Sequence, residues 1–160
     1  MDLGTVITSC ILLAVCTLPF VLMNRKKQKR IKELVSNFSD IIKSKGLEVG
    51  QYDVCGDIVI GMDSNSAHVF YYKKHKETAS NMEIEMNSIA NCNVSKIYSD
   101  GSNVAHDNTS IDKITLLFAL KSSASKEKSI VLFDDDDNLQ LDGELQLAEK
   151  WSKLIQTSVK

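Results

Sequence analysis

Val54-Cys55-Gly56-Asp57-Ile58-Val59-Ile60-Gly61-Met62, Asp63-Ser64-Asn65-Ser66 and Ala67-His68-Val69-Phe70-Tyr71-Tyr72-Lys73-Lys74 are consecutive, and the class of the domain turns on them. The first run is rich in β-branched residues, is interrupted by Gly56 and closes near Gly61. The small polar cluster is turn chemistry, because Asp, Asn and Ser side chains bond back to nearby backbone. From Ala67 the chain is extended again, with His68, Phe70 and Tyr72 on one face and Val69 and Tyr71 on the other. Two extended runs joined by a turn predict a β-hairpin.

The period of two persists downstream. Met82, Ile84 and Met86 alternate with Glu83 and Glu85, a half-buried strand. Cys92, Val94 and Lys96 share a face in the next run. Ser99 to Ser110 is polar and holds Gly101, so it reads as a loop. Ile114, Leu116, Phe118 and Leu120 alternate strictly, Ser122 to Lys128 is a polar turn, and Ile130 to Phe133 is a short apolar strand. Beyond Asp134-Asp135-Asp136-Asp137 the period changes to helical. Leu145, Ala148, Trp151, Leu154, Ile155 and Val159 form one stripe, with acids early and Lys150, Lys153 and Lys160 late, as the helix dipole favours. The expectation is an α+β domain of six or seven antiparallel strands, a barrel or sandwich, capped by a C-terminal helix.

Upstream, Ile31, Leu34, Val35, Phe38, Ile41 and Ile42 fall at helical spacing, with polar residues opposite and Gly46 as a stop signal. This amphipathic helix must bury its stripe on the following domain, in the headgroup plane or on another copy. It is preceded by Leu3 to Met23, 21 residues without a charge. As a helix this segment spans about 31 Å, matching a hydrocarbon core of about 30 Å. Eleven of its residues are Leu, Ile, Val or Phe, and at roughly −0.4 kcal/mol each they favour insertion by about 4 kcal/mol. A cleaved signal peptide would carry a basic start, a shorter apolar core and a small-residue cleavage site. Here only Asp2 and the amino terminus precede the apolar stretch. Ile7-Thr8-Ser9-Cys10 resembles a lipoprotein box, but almost no apolar segment precedes Cys10. The reading is an uncleaved transmembrane anchor over 1–23, a basic juxtamembrane helix over 24–46 and a β domain over 47–160.

Charge supplies direction. Residues 24–45 hold eight Lys/Arg against two acids, net +6, and residues 46–160 hold eleven against eighteen, net −7. Arg25, Lys26, Lys27, Lys29, Arg30 and Lys32 directly follow the apolar segment, so the positive-inside rule puts the C-terminal domain in the cytoplasm and the N-terminus outside a plasma or inner membrane. These six residues are the expected membrane-surface contact, attracting anionic headgroups. The acidic domain argues against nucleic acid as a partner, since phosphate neutralisation needs clustered cations.

The hairpin from Asp57 to Lys74, the strand Met82–Met86 running into Asn87-Ser88-Ile89, and the final unit Ile130 to Leu154 with its Trp together resemble bacterial membrane-anchored domains of the pleckstrin-homology-like (PH-like) superfold. The resemblance covers about residues 47–160 and rests on the order of elements. It implies a binding or scaffolding module, with a protein partner or self-association, and no enzyme. Phosphoinositide-binding PH domains use cations between the first two strands, whereas the turn at residues 63–66 has none. Lys73, Lys74 and Lys76 form the basic cluster of the domain, read as a solvated edge or a membrane-facing contact.

No catalytic, cofactor or metal motif emerges. There is no Gly-rich phosphate loop, HExxH or GxSxG, and His68, His75 and His106 are scattered. The Asp134–Asp137 run lacks the Gly and terminal Glu spacing of an EF-hand and reads as an acidic turn. Cys55 and Cys92 have no CxxC spacing; free thiols are the reading, with a disulfide between them left open.

Overall fold

The computed structural model describes residues 25–104, 110–121, 127–137 and 140–159. The apolar segment read as an anchor, and Lys160, lie outside the described residues. No helix among the described residues is long and apolar enough to cross a membrane.

Helix α1 runs over residues 25–44 and ends as its sequence demands. Gly46 has φ +74°, a left-handed conformation that costs glycine nothing. Its N–H reaches the Lys43 carbonyl at 2.9 Å, and the Leu47 N–H reaches the Ile42 carbonyl at 3.3 Å. These are the two bonds of a Schellman cap, and Leu47 packs near Ile42 as that motif requires.

Seven strands follow: β1 (Val49–Cys55), β2 (Ile58–Asp63), β3 (His68–His75), β4 (Thr78–Glu85), β5 (Ile89–Tyr98), β6 (Ile111–Leu120) and β7 (Glu127–Asp134). A short 3-10 turn, Met86–Ser88, joins β4 to β5, and helix α2 (Glu144–Val159) closes the chain. The strands form two antiparallel meanders, β1-β2-β3-β4 and β5-β6-β7. Neither sheet closes on itself, so the barrel form of the expectation is not met; β1, β4, β5 and β7 are sheet edges. The run from Val54 to Met62 is two strands, not one. Cys55 pairs with Ile58 across a two-residue turn, and Gly56 at φ +54° takes the position where a type II′ hairpin turn places glycine. The turn read at residues 63–66 lies one residue later, at 64–67, and joins β2 to β3.

Every residue of β2 is buried. Ile58, Ile60 and Met62 face a core shared with the second sheet and α2, to which β3 adds Val69 and Tyr71. Val59, Phe70 and Tyr72 face the other way, into a second cluster with Leu34, Phe38 and Ile42 of α1. The first sheet is therefore a middle layer, and α1 buries its stripe on its own domain, one of the three fates open to it in sequence. Contact is close at Gly61, where a Cβ would stand 2.8 Å from Phe38 Cζ and 2.7 Å from Tyr52 Cβ.

Helix α2 buries Leu147, Ala148, Trp151, Ser152 and Ile155. The stripe is thus rotated from the one read in sequence: Leu147 is inside, while Leu145, Leu154 and Val159 are half-buried. The start of the helix fits the dipole argument, with Glu144 in the first turn; among the described residues no cation lies in its last turn, and Lys160 lies outside them. Lys150 instead reaches across to Asp53 of β1 at 2.7 Å, and Trp151 Nε1 donates to the same carboxylate at 2.9 Å. The Tyr71 hydroxyl donates to the Val131 carbonyl at 2.8 Å, tying the first sheet to the second, and burial pushes its pKa up.

The β2–β3 turn depends on one buried carboxylate. Asp63, 1% exposed, accepts the Ala67 and His68 amides on Oδ1 at 2.8 and 2.7 Å. Asp63→Ala leaves both donors unpaired, an expected loss of about 1–3 kcal/mol in urea unfolding, and Asp63→Asn should retain most of it by keeping the acceptor.

Candidate functional site

All six cations of the basic collar lie on α1 and are exposed. The helix divides them. Lys26, Lys27 and Arg30 sit on the side that continues the buried stripe towards the N-terminus, and they line a cleft of about 650 Å³. Val54, Cys55, Gly56 and Asp57 of the β1–β2 hairpin form the opposite wall, and Asp142, just before α2, closes one side. Arg25, Lys29 and Lys32 do not line it.

Asp57 anchors this corner. It is 8% exposed and pairs with Arg30 Nη2 through Oδ1. Its Oδ2 lies 3.1 Å from His75 Nδ1, and its backbone carbonyl accepts the Lys74 amide at 3.0 Å. One carboxylate thereby links α1, the first hairpin turn and the end of β3. One helical turn further along α1, Glu33 pairs with Lys74 at 2.5 Å, which holds the Glu33 carboxyl below the usual range and raises Lys74.

The basic cluster read at Lys73, Lys74 and Lys76 is largely committed to such pairs. Lys73 binds Asp137 at 2.7 Å, lowering that carboxyl, and Lys74 binds Glu33. Lys76 and Lys74 border a smaller hollow against Arg30, Glu33 and Leu34. The acidic run is also partly neutralised, since Asp134 pairs with Lys113 at 2.7 Å and Asp137 with Lys73. Among the described residues no group of three or more His, Cys, Asp or Glu could hold a metal ion.

Cys55 and Cys92 are free thiols. Burial, reinforced by the Glu144 and Asp142 carboxylates, pushes Cys55 up to about 11. Burial likewise pushes Cys92 up to about 11. Only the thiolate is a strong nucleophile, so this environment works against covalent catalysis. A rise from 9.0 to about 11 cuts the thiolate fraction near neutral pH about a hundredfold. Iodoacetamide modification of Cys55 should therefore be slower than that of an unstructured cysteine by about tenfold or more, the greater nucleophilicity of a high-pKa thiolate offsetting part of the lost fraction, and should rise about tenfold per pH unit up to about pH 11. Quantifying the Cys55 peptide by mass spectrometry checks both figures.

Reading the sequence found the cations but not the wall they face. The β-branched run from Val54 to Met62 hides Cys55 and Asp57, and the dipeptide Gly56-Asp57 is the local signal for the hairpin turn there. The first inter-strand turn is Gly56-Asp57 and not residues 63–66. It carries no cation of its own; α1 brings the cations to it.

No protein-family model matches this chain, and no curated protein or solved structure is significantly similar to it.

Proposed function

We propose that this protein is a single-pass, membrane-tethered, non-enzymatic interaction module whose PH-like domain faces the cytoplasm and binds a protein partner or a second copy. One observation carries the reading: α1, which begins in the basic collar, is packed on the first sheet through Leu34, Phe38 and Ile42. A helix leading from an anchor would then present the domain in one fixed pose, as a scaffold requires, and not on a loose tether. Two meanders of four and three strands followed by a helix with a buried Trp151 support the PH-like assignment.

Orientation is tested by fusing the full chain at its C-terminus to a cytoplasm-active fluorescent reporter and, separately, to a phosphatase active only outside. Fluorescence without phosphatase activity is expected, and the reverse pattern overturns the topology. Partner binding is tested in the same membranes by cross-linking the full chain. Discrete adducts of defined mass support the module reading, and a chain that stays uncross-linked at every exposed position counts against it.

A further inference from the structure

We propose that the cleft between α1 and the Gly56-Asp57 turn binds a phosphodiester monoanion, held by Lys26 and Lys27 beside an Arg30 fixed by Asp57. Three features carry this. The first is convergence: positions 26, 27 and 30 bring three cations from less than two turns of helix onto one wall of a space of about 650 Å³, within the range of small-ligand sites, about 300–1,000 Å³.

The second is preorganisation. The Asp57 carboxylate is nearly buried and contacts both Arg30 and His75, so the guanidinium is held at the cleft and not left to sweep through solvent. A guanidinium has five N–H donors, and pairing with one carboxylate leaves others for a ligand.

The third is charge balance. Lys26, Lys27 and Arg30 against Asp57 and Asp142 give the lining a formal charge of three minus two, or +1, and the buried Glu144 carboxylate behind the Gly56 turn offsets it. A phosphodiester with one negative charge therefore suits the three cations better than a phosphomonoester dianion, whose second charge would stand against both Asp142 and Glu144. Ile31 and Val54 add apolar surface for the C–H groups of an organic substituent on the phosphate.

This chemistry has two sources, a lipid headgroup such as phosphatidylglycerol or a free soluble diester. The lipid source rests on the proposed membrane placement; the soluble source does not.

Cys55 lines the same cleft and reports its occupancy. The full chain is placed in nanodiscs of phosphatidylcholine alone, whose choline cation cancels its phosphodiester charge, of phosphatidylcholine with phosphatidylglycerol, or of phosphatidylcholine with added glycerophosphoglycerol. The alkylation rate of Cys55 is read by peptide mass spectrometry, as a ratio to the same variant in phosphatidylcholine alone. Protection by phosphatidylglycerol only assigns the lipid source, and protection by the soluble diester as well assigns an open phosphodiester site.

Lys26→Gln/Lys27→Gln should raise the concentration for half-protection about tenfold or more, while Arg25→Gln/Lys29→Gln, which removes the same charge outside the cleft, should change it less than about threefold. All four side chains are exposed, so the fold survives both changes. Equal losses in the two variants would mean diffuse surface attraction and overturn the proposal. So would protection that persists without Lys26 and Lys27, or no protection by either ligand. The reporter fusions read topology independently, so a failed site and a failed placement are distinguishable.

Discussion

Trp151→Ala is expected to lower the unfolding free energy by about 3–5 kcal/mol, the range for emptying a fully buried aromatic site. The residue is 0% exposed and lies in the core shared by both sheets and α2. Its loss also removes the indole N–H from Asp53, one of the links from α2 to β1. Trp151→Phe separates the two effects. It keeps most of the ring volume and loses the hydrogen bond, so its cost should fall to about 1–3 kcal/mol. Urea unfolding of both variants, followed by far-UV circular dichroism, checks the ordering. If the two cost the same, the polar link and not the packing sets the value.

The second large effect is on the union of helix and sheet. Phe38→Ala should cost about 3–5 kcal/mol of the free energy that keeps α1 docked, because Phe38 is buried among Leu34, Val59, Phe70 and Tyr72. Gly61→Leu should undock the helix from the opposite side, since any Cβ there meets Phe38, Tyr52 and the Gln51 carbonyl within 3 Å. The two changes strike one contact, so their combination should cost less than their sum. Limited proteolysis within residues 25–46 reads the docking directly: cleavage should accelerate in either variant and remain slow in Lys43→Gln, an exposed change on the same helix. A fragment beginning at residue 47 should aggregate, because removing α1 uncovers Val59, Phe70 and Tyr72 together.

The face on which α1 docks is not legible in the chain. The run Ile58-Val59-Ile60 is apolar at every position because the sheet is covered on both faces. A strand of that kind carries no alternation to say which side faces what. Alternation was legible on β6, where Ile114, Leu116 and Phe118 are buried and their neighbours half-exposed, and there the strand matches its expected face. Gly46 was legible because its backbone conformation is local. Leu147 was missed because a stripe read by spacing does not reveal how far the helix rotates about its axis when Trp151 is seated.

The candidate site divides the same way. Its cations stand out in the sequence as a charge run, and their number and position follow from composition alone. Which of them share a cleft does not. That depends on the rotation of α1 on the sheet, set by Leu34, Phe38 and Ile42, and on a carboxylate, Asp57, from a distant hairpin turn.

By itself, then, the sequence determined the local and periodic properties: antiparallel strands before a final helix, a basic helix stopped at Gly46, free cysteines as the preferred reading, and an acidic domain behind a basic collar. Local backbone preference and hydrophobic period are encoded within a few residues, so they can be read there. Tertiary structure alone decided that α1 belongs to the domain, that the first sheet is a middle layer, and that Lys26, Lys27 and Arg30 meet Asp57. Those contacts join residues tens of positions apart, and side-chain packing, to which no short stretch of chain has access, selects among the partners that each apolar face would accept.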